Sequence, residues 1–249
     1  MPIKVVLKLL KCMKIKLSMS NKNFPWVIGD VHGCYHTLLQ LIQELPKNAD
    51  IIFVGDLCDK GLYTKEVIEF IIKNNYRCVL GNHDELMRIN LKKALKGIDS
   101  TWSTLPAYAG YATVDSYRSA STRLVNKHIK WIASLPCYIE FDKFFITHGF
   151  GLPYYQRKDE RKKEISLRTN RLDPKHYSYD WEENWEDYDV INIFGHDSHD
   201  DVKIGKNYYD IDTACKYGNK LTAIDLGSME LVSVPVNLED LDIEKDKEC

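Results

Sequence analysis

The sequence predicts an α/β fold with a second sheet, on three observations. Short apolar runs rich in β-branched and aromatic residues stop repeatedly at glycine and then a polar residue. Helical patterns separate the first of these runs, and the last third closes with further strand-like runs broken by turns.

The runs come in order. "PWVI" ends in Gly29-Asp30, "IIFV" in Gly55-Asp56, and "CVL" in Gly81-Asn82-His83-Asp84. Between them lie "YHTLLQLIQEL", with Leu38, Leu41, Ile42 and Leu45 on one face, then "TKEVIEFIIKN", with "DELMRINLKKAL" following the third run. Two later runs obey the same grammar: "KFFI" ends in Thr147-His148 and "VINIF" in Gly195-His196. The segment "NYYDIDTACKYGNKLTAIDLGSMELVSVPV" reads as successive strands with turns at Tyr217-Gly218-Asn219 and Gly227-Ser228. In open α/β sheets the carboxyl ends of the strands form the ligand-binding edge.

Composition narrows the classes. The chain has 249 residues and a formal charge of −2, ordinary for a globular protein and contrary to a dedicated nucleic-acid binder. Seven scattered cysteines, with no C-x-x-C pair, read as reduced thiols in a cytoplasm. No stretch of about 20 apolar residues is present to cross a membrane. Residues 1–24 form a basic extension in which Lys4, Lys8, Lys11, Lys14, Lys16 and Lys22 interrupt any signal-peptide core. That extension is expected to be a disordered tail or the product of an early start codon, with a basic surface helix against anionic lipid or an extra strand as the alternatives, residues 25–236 the folded domain and 237–249 an acidic, solvated tail.

One Gly-Asp-x-His-Gly fragment reads equally well as a turn with a satisfied aspartate. Five strand ends that present Asp, His, Asp, Asn, His and His in series form a donor set suited to divalent metals, which take carboxylate, carboxamide and imidazole ligands together.

These blocks, "GDVHG", "GDLCDKG", "GNHD", "TH" and "GH", resemble the calcineurin-like metallophosphoesterases, and within them the phosphoprotein phosphatases of bacterial and phage type. The likeness spans roughly residues 25 to 235 and includes "TWSTLPAYAGYATVDSY" and "DIDTACKYGNKLTAIDL". It implies a four-layer α/β/β/α sandwich with a two-metal centre at the strand C-terminal edge. Carried over by position, Asp30, His32 and Asp56 would hold one metal; Asp56, Asn82, His148 and His196 would hold the other. Manganese is the first expectation, with iron, zinc or nickel as alternatives. His83 would protonate the leaving group with Asp84 orienting it, and Asn82, Lys60 and Arg171 would contact the phosphate, Arg168 being the competing clamp. "GHDSHDD" departs from a Gly-His-x-His pattern by placing Ser198 where the second histidine would stand, which favours the phosphatase branch and leaves His199 off the metals.

The expected activity is therefore hydrolysis of phosphoserine, phosphothreonine or phosphotyrosine, in line, by a hydroxide shared between two metals. The substrate partner would be a phosphoprotein or a small phosphorylated molecule. Symmetrical hydrolysis of diadenosine tetraphosphate is the alternative, and a silent metal-binding scaffold a remote third. The sequence carries no signal of oligomeric state.

Overall fold

The computed structural model describes residues 24–176 and 180–242, so the basic extension lies outside it apart from Phe24. Strand β1 (Trp26–Ile28), helix α1 (Tyr35–Glu44), β2 (Ile51–Phe53), α2 (Thr64–Lys73), β3 (Arg77–Cys78) and α3 (Asn82–Ala94) alternate as the sequence implies. Helices α4 (Thr101–Thr104), α5 (Gly110–Tyr117) and α6 (Thr122–Ile132) follow. Next come β4 (Tyr138–Phe141), β5 (Phe144–Thr147), the short α7 (Glu164–Thr169), β6 (Ile191–Phe194), β7 (Lys203–Ile204) and β8 (Tyr208–Asp210). Strands β9 (Lys220–Asp225) and β10 (Leu231–Pro235) close the described fold.

Two five-stranded mixed sheets result, ordered β10-β9-β1-β2-β3 and β4-β5-β6-β8-β7. The period-2 alternation of each strand decides its two faces. Val27 and Ile52 point between the sheets, where they meet Phe144, Ile146, Ile193 and Ile224. Their neighbours Trp26, Ile28, Ile51 and Phe53 point the other way, onto Leu38, Leu41, Val67, Ile68 and Ile71 of α1 and α2. On the second sheet Phe145 turns outward against Tyr154 and Leu167, and Phe194 against Phe150 and Leu152. Helices cover one outer face, and α7 with several 3₁₀ turns covers the other, so four layers are stacked.

One detail differs from the sequence expectation. Asp240 is fully buried, although the segment from Asn237 reads as a solvated tail. Its carboxylate accepts from the amides of His36 (2.9 Å) and Thr37 (2.8 Å), the Thr37 hydroxyl (2.7 Å) and His36 Nδ1 (2.9 Å). Helix α1 has no side-chain cap of its own, so a carboxylate about 200 residues away satisfies the orphan amides of its first turn and meets its positive end. Lys163, in the charged run "RKDERKKE", is buried against Asp180 and the Tyr154 ring. Trp185, in the tryptophan- and tyrosine-rich segment beyond residue 180, packs edge-on against Phe150 at 5.1 Å. The five cysteines among the described residues are unpaired thiols, and no described helix is long and apolar enough to cross a membrane.

Asp240→Ala is expected to lower stability by roughly 2–3 kcal/mol, because four donors lose their acceptor. Urea unfolding monitored by circular dichroism checks this, through a lower midpoint at unchanged slope.

Candidate metal centre

The polar residues at five strand ends converge because the loops that carry them are tied together. The amides of His32 and Gly33 donate to the carbonyls of Asp56 and Leu57, each at 2.9 Å, joining the loop after β1 to the loop after β2. His32, Asp56 and His196 all adopt the left-handed backbone region, at φ 46°, 48° and 72°. Such conformations cost on the order of 1 kcal/mol or more each outside glycine, and persist only where neighbours over-determine them. The turn preceding α3 is held by Asp84, whose carboxylate accepts from the amides of Asp56 (2.9 Å), Leu57 (2.9 Å) and Gly81 (3.1 Å).

Asp56 lies at the junction. Its Oδ1 accepts from the His83 amide at 2.9 Å, while its Oδ2 lies 3.1 Å from His148 Nε2 and 3.6 Å from His32 Nε2. One oxygen therefore faces two imidazoles. His148 Nδ1 donates to the Val54 carbonyl (2.9 Å) and His32 Nδ1 to the Cys58 carbonyl (2.8 Å), which leaves both Nε2 atoms as lone pairs when the rings are neutral. Around His148, three acceptors then face one another: Nε2, Asp56 Oδ2 and Asn82 Oδ1, the last at 2.9 Å. With the ring neutral, acceptors so close form a group that could hold a cation, and His196 completes it. Burial, with His148 alongside, pushes the His196 pKa down to about 3 and so keeps that ring neutral and able to ligate.

Asp30, His32 and Asp56 form a second group on the other side of the shared carboxylate. Burial, with Lys216 next, lowers the His32 pKa; burial and Asp212 raise that of Asp30. The six residues expected as ligands are thus brought together, as two clusters sharing Asp56.

His83 is held differently from the sequence expectation. Its Nδ1 pairs with Asp59 at 2.6 Å, not with Asp84, whose oxygens are taken up by backbone amides. Asp59 is itself fully buried and fixed by Trp102 Nε1 (2.8 Å) and the Thr113 hydroxyl (2.8 Å). Burial lowers the His83 pKa, but Asp56 and Asp59 outweigh it and the net shift is upward. Asp59 was legible as the second aspartate of "GDLCDKG"; its pairing with His83 was not, because it depends on two distant helices.

The phosphate clamps divide. Lys60 donates to the carbonyls of Pro106 (3.1 Å) and Ala107 (2.7 Å), so its ammonium fastens the loop before α5. Arg171 donates to Asp197 at 2.6 Å and lies close enough to His196 to depress its pKa, whereas Arg168 lies against Cys137 and Glu85. His199 pairs with Asp210 at 3.3 Å in a separate cluster with Asp197. Sequence reasoning missed Lys216, a buried lysine whose ammonium lies 3.1 Å from both His32 Nε2 and Asp212 Oδ2. Ser198 also serves Asp212, donating at 2.6 Å.

Paired acceptor clusters at the strand ends of a double-sheet α/β frame place the chain among metal-dependent phosphoesterases. It belongs to the calcineurin-like phosphoesterase family, whose sequence model matches residues 26–227. The chain is 29% identical over 233 residues to the bis(5'-nucleosyl)-tetraphosphatase PrpE [asymmetrical] of Anoxybacillus flavithermus, covering 84% of this chain and 93% of that one. The protein of the same name from Oceanobacillus iheyensis is also 29% identical, over 240 residues, 84% of this chain and 90% of that one. Among solved structures, one provisionally described as a diadenosine tetraphosphatase superposes with a TM-score of 0.64 at 22% identity, covering 87% of this chain and 96% of that chain. A serine/threonine phosphatase of Saccharomyces cerevisiae superposes with a TM-score of 0.59 at 14% identity, over 88% and 81%. The family, its hydrolase chemistry and its use of divalent metals are thereby established; the relatives' names do not single out the protein phosphatase branch that the motifs led us to expect.

Asp59→Asn is expected to lower kcat about 10²-fold by releasing the His83 tautomer, with metal content unchanged. Asp84→Asn should instead lower the melting temperature, since it weakens the tie between two loops. Steady-state kinetics, metal analysis and thermal unfolding of both variants separate the two roles.

Proposed function

We propose that this chain hydrolyses dinucleoside polyphosphates, splitting diadenosine tetraphosphate asymmetrically into ATP and AMP. The observation that carries the reading is near-full-length similarity to proteins named asymmetrical bis(5'-nucleosyl)-tetraphosphatases. It replaces the symmetrical cleavage weighed from the motifs and takes precedence over phosphoprotein hydrolysis.

A divalent cation held by Asp56, Asn82, His148 and His196 would supply Lewis acidity toward the phosphoryl oxygens and a lowered pKa for bound water. The chain's own groups do the remainder. Asn82 directs its carboxamide oxygen into that cluster, fixing which way its NH₂ points. Arg171, partly exposed beside His196, presents a guanidinium that can take a phosphate oxygen bidentately in place of Asp197. Lys60 donates to the Pro106 and Ala107 carbonyls, so its ammonium holds that loop. His83, with Nδ1 anchored on Asp59, delivers a proton from Nε2 to the oxygen that leaves.

The proton matters less for one substrate than for the other. A nucleotide phosphate leaves as a weakly basic anion, whereas the serine alkoxide of a phosphopeptide is strongly basic and needs protonation. His83→Asn is therefore expected to slow phosphoserine peptide hydrolysis by roughly 10²–10⁴-fold and dinucleotide hydrolysis by less.

Metal-stripped protein with manganese restored, offered diadenosine tetraphosphate, a phosphoserine peptide and a bis-aryl phosphodiester, tests the reading by product chromatography. The expected result is manganese-dependent formation of ATP and AMP in equal amounts, faster than release from the other two. Two molecules of ADP would establish symmetrical cleavage, and faster turnover of the peptide would return the function to protein phosphatase.

A further inference from the structure

We infer that the ammonium of Lys216 stands in for one of the two cations of this centre, so that the chain holds a single divalent ion, at Asp56, Asn82, His148 and His196. The inference rests on the metal-dependent hydrolase reading above and concerns how its charge is supplied.

Lys216 lies on the 3₁₀ turn Cys215–Tyr217, entered through Ala214 in the left-handed region at φ 59°. Its side chain is only 8% exposed, unusual for lysine, and is aimed inward. The ammonium lies 3.1 Å from Asp212 Oδ2 and 3.1 Å from His32 Nε2. His32 Nδ1 is already committed to the Cys58 carbonyl, so Nε2 is the one lone pair with which this ring could bind a metal. An N–H of Lys216 pointing at that lone pair occupies the direction along which a metal would sit at roughly 2.0–2.2 Å. Ammonium and ion cannot share it.

Charge leads to the same assignment. Asp30, Asp56 and Asp212 are buried carboxylates on this side of the centre, and a buried negative cluster of this kind requires compensation. The ammonium of Lys216, in an ion pair with Asp212 at 3.1 Å, supplies it. Burial raises the pKa of Asp212, and Lys216, the Ser198 hydroxyl, His32 and the Ala214 amide together outweigh it, bringing it to about 2. A fixed positive charge so placed repels a divalent cation at Asp30 and His32 while leaving the His148 side open. The lysine is itself held in place: Asp212 accepts from the Ser198 hydroxyl and from the Ala214 amide (3.0 Å), and Ser198 stands where a second histidine would otherwise approach.

The test is metal stoichiometry, a readout independent of turnover. Wild-type protein and Lys216→Met are loaded with excess manganese and desalted. Bound metal is then measured by plasma mass spectrometry and electron paramagnetic resonance, and affinities by calorimetric titration. The inference expects about one ion per wild-type chain, with the spectrum of isolated manganese. In Lys216→Met it expects about two, with spin coupling and at least about tenfold tighter binding of the second ion. Two ions of comparable affinity in the wild type would overturn it and leave the hydrolase reading intact. A single ion in folded Lys216→Met would also overturn it. No bound ion in either protein would overturn both readings, and the wild-type titration decides the matter alone if the variant does not fold.

Discussion

The carboxylate of Asp84 is the constraint on which the centre depends. By accepting from the amides of Asp56, Leu57 and Gly81, it binds the loop after β2 to the turn that opens α3, and it does so in full burial. Three charge-assisted bonds offset the cost of placing an aspartate there. With those loops fixed, the His83 amide meets Asp56 Oδ1, and Asp56 Oδ2 is left to face His32 and His148 together. The sharing of one oxygen between two clusters thus follows from how backbone amides are satisfied on the other side of the same carboxylate.

Such close approach leaves no room for side chains at two glycines. A Cβ on Gly81 would stand 2.2 Å from Asp56 Oδ1 and 2.3 Å from its amide nitrogen, and one on Gly195 would stand 2.0 Å from Asp30 Oδ1. These glycines are present for proximity rather than for positive φ, since only Gly55 and Gly33 of the neighbouring turns adopt it. Backbone strain is carried instead by non-glycine residues in the left-handed region, His32, Asp56 and His196 among them.

A centre of this kind serves monoesters, diesters and phosphoanhydrides alike, because what it stabilises is charge on phosphoryl oxygens. Substrate choice rests with the surrounding segments. Here the aromatic run beyond residue 180 is turned inward, with Trp181 against the Tyr154 cluster and Trp185 against Phe150, so it braces the outer face of the second sheet. Lys60 braces the loop before α5 in the same manner. Arg171 and Lys216 are cationic groups beside the clusters, one half-exposed and one buried.

The sequence by itself determined the strand-then-ligand grammar, the alternation of strands and helices, and the identity of all six converging donors, from Asp30 to His196. It could do so because each donor follows its strand directly, and local periodicity reports where a strand stops. Tertiary structure decided what local pattern cannot encode, namely which carboxylate meets which partner across the fold. Asp59 rather than Asp84 reached His83 because Trp102 and Thr113, on helices far along the chain, fix its rotamer. Asp240 joined the core because α1 lacks a cap, and Lys216 entered the centre because a short left-handed turn aims it at His32. Each of these is a long-range pairing of charge with an unsatisfied polar group, set by burial and by the three-dimensional course of the chain.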